Sequence, residues 1–168
     1  MMMNKTDETT GQTFSHLDRA GKATMVDVSQ KAETRRTATA RSIVYLPGEV
    51  MAQLADGDLQ TKKGSVFQTA VIAGIMAAKK TGDLIPLCHP LGLDNCQIDI
   101  CVNGGNEIVI NCTTTITAKT GVEMEALVGV SIAALTIYDM CKALSHDIIV
   151  KETKLIEKTG GKRDFKRA

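Results

Sequence analysis

The chain has 168 residues, of which 43% are hydrophobic, and a formal net charge of +1. That size and apolar fraction suit one compact domain and exclude a disordered chain, while the balanced charge argues against nucleic acid or an anionic membrane as partner. Aromatic residues make up only 3%, too few for the base-stacking strands with which α+β modules read RNA.

In chain order, residues 1–24 are polar and lack the apolar core of a secretory signal, so they are expected to form a flexible leader ahead of a single domain over 25–168. A cytoplasmic location is the default. MVDVSQKAETRRTATARSIVYL alternates apolar and polar residues up to Leu46, which predicts an extended segment followed by a strand. Pro47 suits a first helical turn and Gly57 a helix end, giving a short helix over PGEVMAQLAD. A stronger helix follows in SVFQTAVIAGIMAAKKTG, closed by Gly82, and its Ala70, Ala73, Gly74, Ala77 and Ala78 would let another element pack very close.

NCQIDICVN and EIVINCTTTIT then read as two strands joined at Asn103–Asn106 by NGGN, a strong hairpin turn because Gly and Asn accept positive φ. A long helix from about Gly121 to Leu144 follows, and DIIVKETKLIEK makes a last strand. Apart from the short helix, the order predicts an α+β fold: a ferredoxin-like (βαββαβ) antiparallel sheet with helices packed on one face.

The middle of the long helix, ALVGVSIAALTIYDM, is apolar or small around most of its circumference, whereas a helix on one sheet face needs a stripe of only about 100°. Its second face must be covered by another subunit, by the short helix or by the N-terminal segment. Its charged ends raise a further point. Glu125 and Asp139 are 14 positions apart, roughly 21 Å along the axis at the usual rise. If both act, they handle distant parts of one ligand or belong to a site assembled across a subunit boundary.

Asp139 and Lys142 share a helix face, as a structural ion pair or as a proton-transfer pair. Glu123 and Glu125 occupy a first turn, where acidic residues favour the helix dipole whatever else they do. His89 lies in LCHPL between Pro86 and Pro90, whose restricted backbones suit a ligand-facing loop; a structural histidine is the plainer alternative. Lys62 and Lys63 precede Gly64 at a helix start, where free N–H groups would help hold a phosphate, and TGGKRDFKR is a second possible cradle. AKTG at 118–121 is no P-loop, because the glycines needed ahead of the lysine are absent, with Thr114 in that run. Five cysteines without C-x-x-C spacing signal neither a disulfide framework nor zinc, and no histidine motif signals a metal.

MVDVSQKAETRR, KKGSVFQTAVIAGIMAAKKTGDLIPLCHPL, KTGVEMEALVGVSIAALTIYDMCKA and KTGGKRDFKR together closely resemble the MoaC family, the cyclic pyranopterin monophosphate synthases. The resemblance runs from Met25 to Lys166. It implies an enzyme that converts 3',8-cyclo-7,8-dihydroguanosine 5'-triphosphate to cyclic pyranopterin monophosphate and pyrophosphate, working after a radical iron-sulfur GTP cyclase and without a cofactor of its own. It also implies a homohexamer, a trimer of dimers, with active sites at subunit interfaces. By matching motif, Asp139, Lys142 and Lys63 are the expected catalytic residues. Leu87, Cys88, His89, Met124 and Glu125 match a substrate-binding segment; Asp27, Lys31, Arg36, Lys79, Glu123 and Lys162 fall on matching charged positions. The chain departs from the family pattern in three places: Ser65 stands where Asp is usual, Ala118 replaces a Gly, and KTGGKRDF is one residue short. A non-catalytic ligand-binding module on the same fold is the alternative.

Overall fold

The computed structural model describes residues 16–18 and 20–168; most of the expected leader lies outside the described residues. The described end of it turns back on itself, with Leu17 bridging to Ala23. The first long strand, β1 (Thr34–Tyr45), shows why alternation works: Ala38, Ala40, Ser42 and Val44 face inward and are buried, while their neighbours on the other face are half-buried. Leu46 follows it into the core, and Pro47 precedes α1 (Gly48–Met51).

The next residues differ from the expectation. The helix foreseen over PGEVMAQLAD stops at Met51, and a small three-stranded antiparallel sheet follows: β2 (Leu54–Ala55), β3 (Asp58–Thr61) and β4 (Gly64–Ser65). Gly57 is not a helix terminator. Asp56 and Gly57 both have positive φ, 52° and 80°, and form the two-residue turn between β2 and β3. An Asp-Gly pair is among the strongest hairpin signals, and here it outweighs the preceding helical pattern.

Helix α2 (Val66–Ala78) ends earlier than foreseen, and Gly82 falls inside a further short helix, α3 (Thr81–Leu84). Strands β5 (Asn95–Asn103) and β6 (Glu107–Ala118) form the expected hairpin, whose turn holds Gly105 at φ 77° and Asn106 at φ 61°. Helix α4 (Glu123–Cys141), β7 (Ile149–Thr159) and β8 (Phe165–Lys166) complete the chain. β8 is an edge strand of two residues that the sequence reading did not include.

The main sheet runs β5-β6-β1-β7-β8, antiparallel at every step. β1 therefore runs parallel to β5 with β6 between them, and β6 runs parallel to β7 with β1 between them. α2 bridges the first gap and α4 the second, so two split βαβ units interlock as the ferredoxin-like pattern requires. Both helices lie on one face. The other face is polar, with Thr37 bonded to Thr159, Thr39 to Thr113 and Arg41 to Asn111.

Between helices and sheet, Val44, Ile108 and Ile110 meet Val130, Ala134 and Ile137, all fully buried; each branched side chain contributes about 1.5–3 kcal/mol of burial. α4 is long and apolar enough to cross a membrane by length and composition, yet here it is the central core helix. Its flank is covered by α2 through small residues: a Cβ on Gly74 would lie 2.8 Å from the Gly129 carbonyl oxygen and overlap Ile98. Beyond that seam, Ile72, Met76 and Leu135 remain exposed on the helical layer.

A candidate active site split between the two ends of helix α4

At the N-terminal end of α4 a cavity of about 490 Å³ opens between three segments. The loop from α3 to β5 supplies Leu87, Cys88 and His89, and the first turn of α4 supplies Glu123, Met124 and Glu125. The third wall is mostly basic: Lys31 from the N-terminal segment, Arg36 from β1, and Lys162 from the turn after β7. Nine of the expected site residues therefore share one cavity. Lys119 and Lys158 line it too, and sequence reading had not singled them out as ligand-facing.

Local packing explains these placements. α3 brings Gly82 so close to the LCHP loop that a Cβ there would lie 3.0 Å from Pro90 Cα, so a small residue is needed to seat the loop. Glu123 pairs with Lys158 at 2.8 Å, and its carboxylate folds over Gly121, where any Cβ would collide with it. Arg36 Nε donates to the Ala118 carbonyl at 2.9 Å, and Lys119 Nζ donates to the Ser29 carbonyl at 2.8 Å, which fastens the N-terminal segment along the rim.

Glu125 differs from an ordinary first-turn acid. Its side chain is buried, with the residue 3% exposed, and burial raises its pKa; its own backbone N–H acts the other way, and the nearby Glu123 carboxylate raises it further. Desolvation thus outweighs the favourable helix dipole. Burial and the same Glu125 also raise the Cys88 pKa, so the thiol stays protonated at neutral pH and is no ready nucleophile.

Two expected residues lie off this cavity. Asp27 is exposed and turns its carboxylate back onto the Ser29 N–H at 2.8 Å, which lowers its pKa, while Val26 and Val28 on either side line the wall. Lys79 lines a smaller cavity of about 240 Å³ with Thr81, Asp83 and Pro90, and Glu125 also borders that space.

The three expected catalytic residues form a separate cluster at the far end of α4. Lys142 Nζ sits 2.7 Å from Asp139 Oδ1, and Lys63 Nζ reaches to 3.9 Å of Oδ2. The Lys142 hydrogen bond lowers the Asp139 pKa, with both lysine charges adding to it, and Asp139 raises the Lys142 pKa in return. All three side chains are at least half exposed, so the perturbation comes from the ion pair and not from burial.

Lys63 stands on the β3–β4 turn, its N–H held by Thr61 Oγ1 at 3.1 Å. The phosphate site foreseen at the start of α2 is already filled. Asp58 accepts from the Phe67 N–H at 2.9 Å and from the Ser65 hydroxyl, while Ser65 Oγ accepts from the Gln68 N–H at 3.1 Å. Ser65 thus caps the helix and Asp58 supplies the carboxylate that complements its dipole. In the turn after β7, Gly160 has φ 81° and donates its N–H to Asp164, and Gly161 and Lys162 face the cavity beside Thr159 at the strand end.

Residues 25–161 match the family model described as the MoaC family. A "Cyclic pyranopterin monophosphate synthase" of Xanthomonas campestris pv. campestris (strain B100) is 54% identical over 158 residues, covering 94% of this chain and 96% of that protein. A "Molybdenum cofactor biosynthesis bifunctional protein" of Synechocystis sp. is also 54% identical, over 90% of this chain but 45% of its own length. A "Molybdenum cofactor biosynthesis protein 1" of Dictyostelium discoideum is 48% identical over 89% of this chain and 26% of its own length.

Proposed function

The chain belongs to the MoaC family, and from that premise we propose that it is a cyclic pyranopterin monophosphate synthase of molybdenum cofactor biosynthesis, a lyase acting on a GTP-derived nucleotide. Its substrate is 3',8-cyclo-7,8-dihydroguanosine 5'-triphosphate, supplied by a radical iron-sulfur GTP cyclase, and its products are cyclic pyranopterin monophosphate and pyrophosphate. The observation that carries this reading is the composition of the larger cavity, which brings a buried Glu125 and His89 together with the cations Lys31, Arg36 and Lys162. A purine-derived ring bearing a polyphosphate needs that pairing: polar groups for the ring edge, cations for the phosphates.

Rebuilding the guanine ring as a pterin requires several proton transfers, and loss of pyrophosphate requires stabilisation of departing anionic oxygens. Lys142, held protonated by Asp139, is suited to neutralise a leaving phosphate, and when the substrate parts it from Asp139 it can enter acid-base work with Lys63 beside the same carboxylate. His89, Glu123 and Glu125 hold the ring. The lysine cluster lies at the other end of α4 from the cavity, so the complete site forms when the cluster of one subunit meets the cavity of another. Exposed Ile72, Met76 and Leu135 on the helical layer support such self-association. The assembly is a homohexamer built from dimers, and a cytoplasmic setting agrees with a nucleotide-derived substrate.

Incubation of the purified protein with the cyclised GTP intermediate, with pyrophosphate and pterin followed together by mass spectrometry, tests the proposal. Release of both, lost in Asp139→Asn, supports the synthase. Tight binding without turnover would identify a ligand-binding module instead.

A further inference from the structure

We propose that His16, carried on an Asp18-centred hairpin, is a substrate-binding residue of the cavity and donates to the phosphate tail of its ligand. The inference rests on the synthase reading for the identity of that ligand. The family match begins at residue 25, whereas the cavity wall reaches back to His16, so part of the wall is built by chain ahead of the matched stretch.

The hairpin holds His16 in a defined place. Asp18 Oδ1 accepts from the backbone N–H groups of Ala20 and Lys22, both at 2.8 Å, and the Asp18 N–H donates to the Lys22 carbonyl at 2.8 Å. Gly21, at φ 77°, closes the turn with an N–H bond to the Asp18 carbonyl, and the Thr24 N–H donates to the His16 carbonyl at 3.0 Å. The chain then runs through Val26 and Val28 along the cavity to Lys31, pinned midway by the Lys119 bond to Ser29. His16 therefore enters the wall from the same segment as Lys31.

The chemistry of the neighbours assigns its partner. Of the basic groups lining the cavity, Lys158 is engaged with Glu123, Lys119 with the Ser29 carbonyl, and Arg36 Nε with the Ala118 carbonyl. Each terminal oxygen of a triphosphate accepts more than one hydrogen bond, so the N–H groups left on the lysines and on Arg36 do not exhaust it, and an imidazole N–H on the same wall adds a directional donor.

The test compares wild type, His16→Ala, His16→Gln and Asp18→Ala in turnover of the cyclised GTP intermediate, and in pyrophosphate binding by calorimetry. His16→Ala is expected to raise KM about tenfold and to weaken pyrophosphate binding by a similar factor, with kcat held within about twofold, since a lost ground-state hydrogen bond acts on binding. His16→Gln, which keeps an N–H donor, should recover part of the loss, and Asp18→Ala should reproduce it from outside the cavity. Unchanged KM and pyrophosphate affinity in His16→Ala, or a fall in kcat at constant KM, would overturn the assignment. Failure of the wild type to turn over would sink the synthase reading instead, and pyrophosphate affinity would still decide the role of His16.

Discussion

Glu125 and Asp139 stand at opposite ends of the same helix, roughly 21 Å apart at the usual rise per residue, one buried on a cavity floor and the other exposed in a lysine cluster. Neither end holds what the other has. If the working site joins the two ends from different subunits, Glu125→Gln and Asp139→Asn proteins, each inactive alone, should regain activity on mixing after reversible dissociation. Random pairing in a twofold dimer restores about a quarter of wild-type sites, since one of the two sites in each mixed dimer receives both defects and the other none. Pyrophosphate release by the mixture measures this; no recovery in demonstrably mixed oligomers would place the whole site in one chain.

Glu125 also gives a stability signature. A carboxyl whose pKa is raised on folding binds protons more tightly in the folded state, so it destabilises the protein above the raised value. That penalty is relieved as pH falls towards the ordinary 4.5. Glu125→Gln should therefore stabilise the fold at pH 7, by on the order of 1 kcal/mol. The difference from wild type should shrink on acidification. Urea midpoints of the two proteins between pH 4 and pH 8 test the sign, and activity should drop at least about tenfold with loss of the acid.

At the other end the pKa directions are reversed. Asp139 is held low by Lys142, and Lys142 is held high by Asp139. The pair stabilises the fold above the ordinary aspartate range, loses that contribution as pH falls through the lowered Asp139 value, and loses it again as pH rises through the raised Lys142 value. Both groups are exposed, so the effect on stability should be small. The effect on Lys142 itself is expected to be plain: Asp139→Asn moves the titration of its side chain, followed by NMR, to lower pH, because Lys142 then gives up its proton more easily. An unmoved titration would show that Asp139 does not hold the lysine proton.

Ser65→Asp should destabilise this chain. Ser65 donates to Asp58, and Asp58 already serves the first turn of α2. A second carboxylate has no proton to give and repels the first, at a cost of about 1–3 kcal/mol for the broken bond. Asp58→Ser in the same protein should return most of that loss. Thermal melts of the two single variants and the double variant close the cycle.

Gly74→Ala sets two effects against each other. Alanine favours a helix interior by about 1 kcal/mol, but its methyl group would press on the Gly129 carbonyl oxygen at 2.8 Å. Overpacking against backbone costs about 1–3 kcal/mol, so a lower melting temperature is expected. A higher one would show that α2 and α4 can separate.

Much of the fold was legible because its long elements keep one period over many residues. β1, β5 and β6 alternate over 9 to 12 residues, and the small residues of α2 announced the close contact with α4. β2, β3, β4 and β8 have too few residues for any period to show. Asp56-Gly57 was the one local clue to the small sheet, and the helical spacing before it masked that clue. The site divided similarly. Residues in compact motifs such as LCHP and EME fell together, whereas Lys158 sits in a strand that carries four lysines and glutamates besides it and no regular alternation, and only its 2.8 Å bond to Glu123 sets it apart. Asp27 shows the converse: its charge suggested a ligand, but an Asx turn onto Ser29 uses it locally.

The seam between Gly74 and Gly129 also decides where the molecule can move. Its closest approach is made by backbone, which no side-chain rotation can relieve. The cavity wall, by contrast, is carried by flanking segments outside that seam: the Asp18 hairpin with its strap to Lys31, and the turn from Thr159 to Asp164. A mutation in the seam would then alter thermal stability before it alters the rate of substrate capture, and a mutation in either flanking segment would do the reverse.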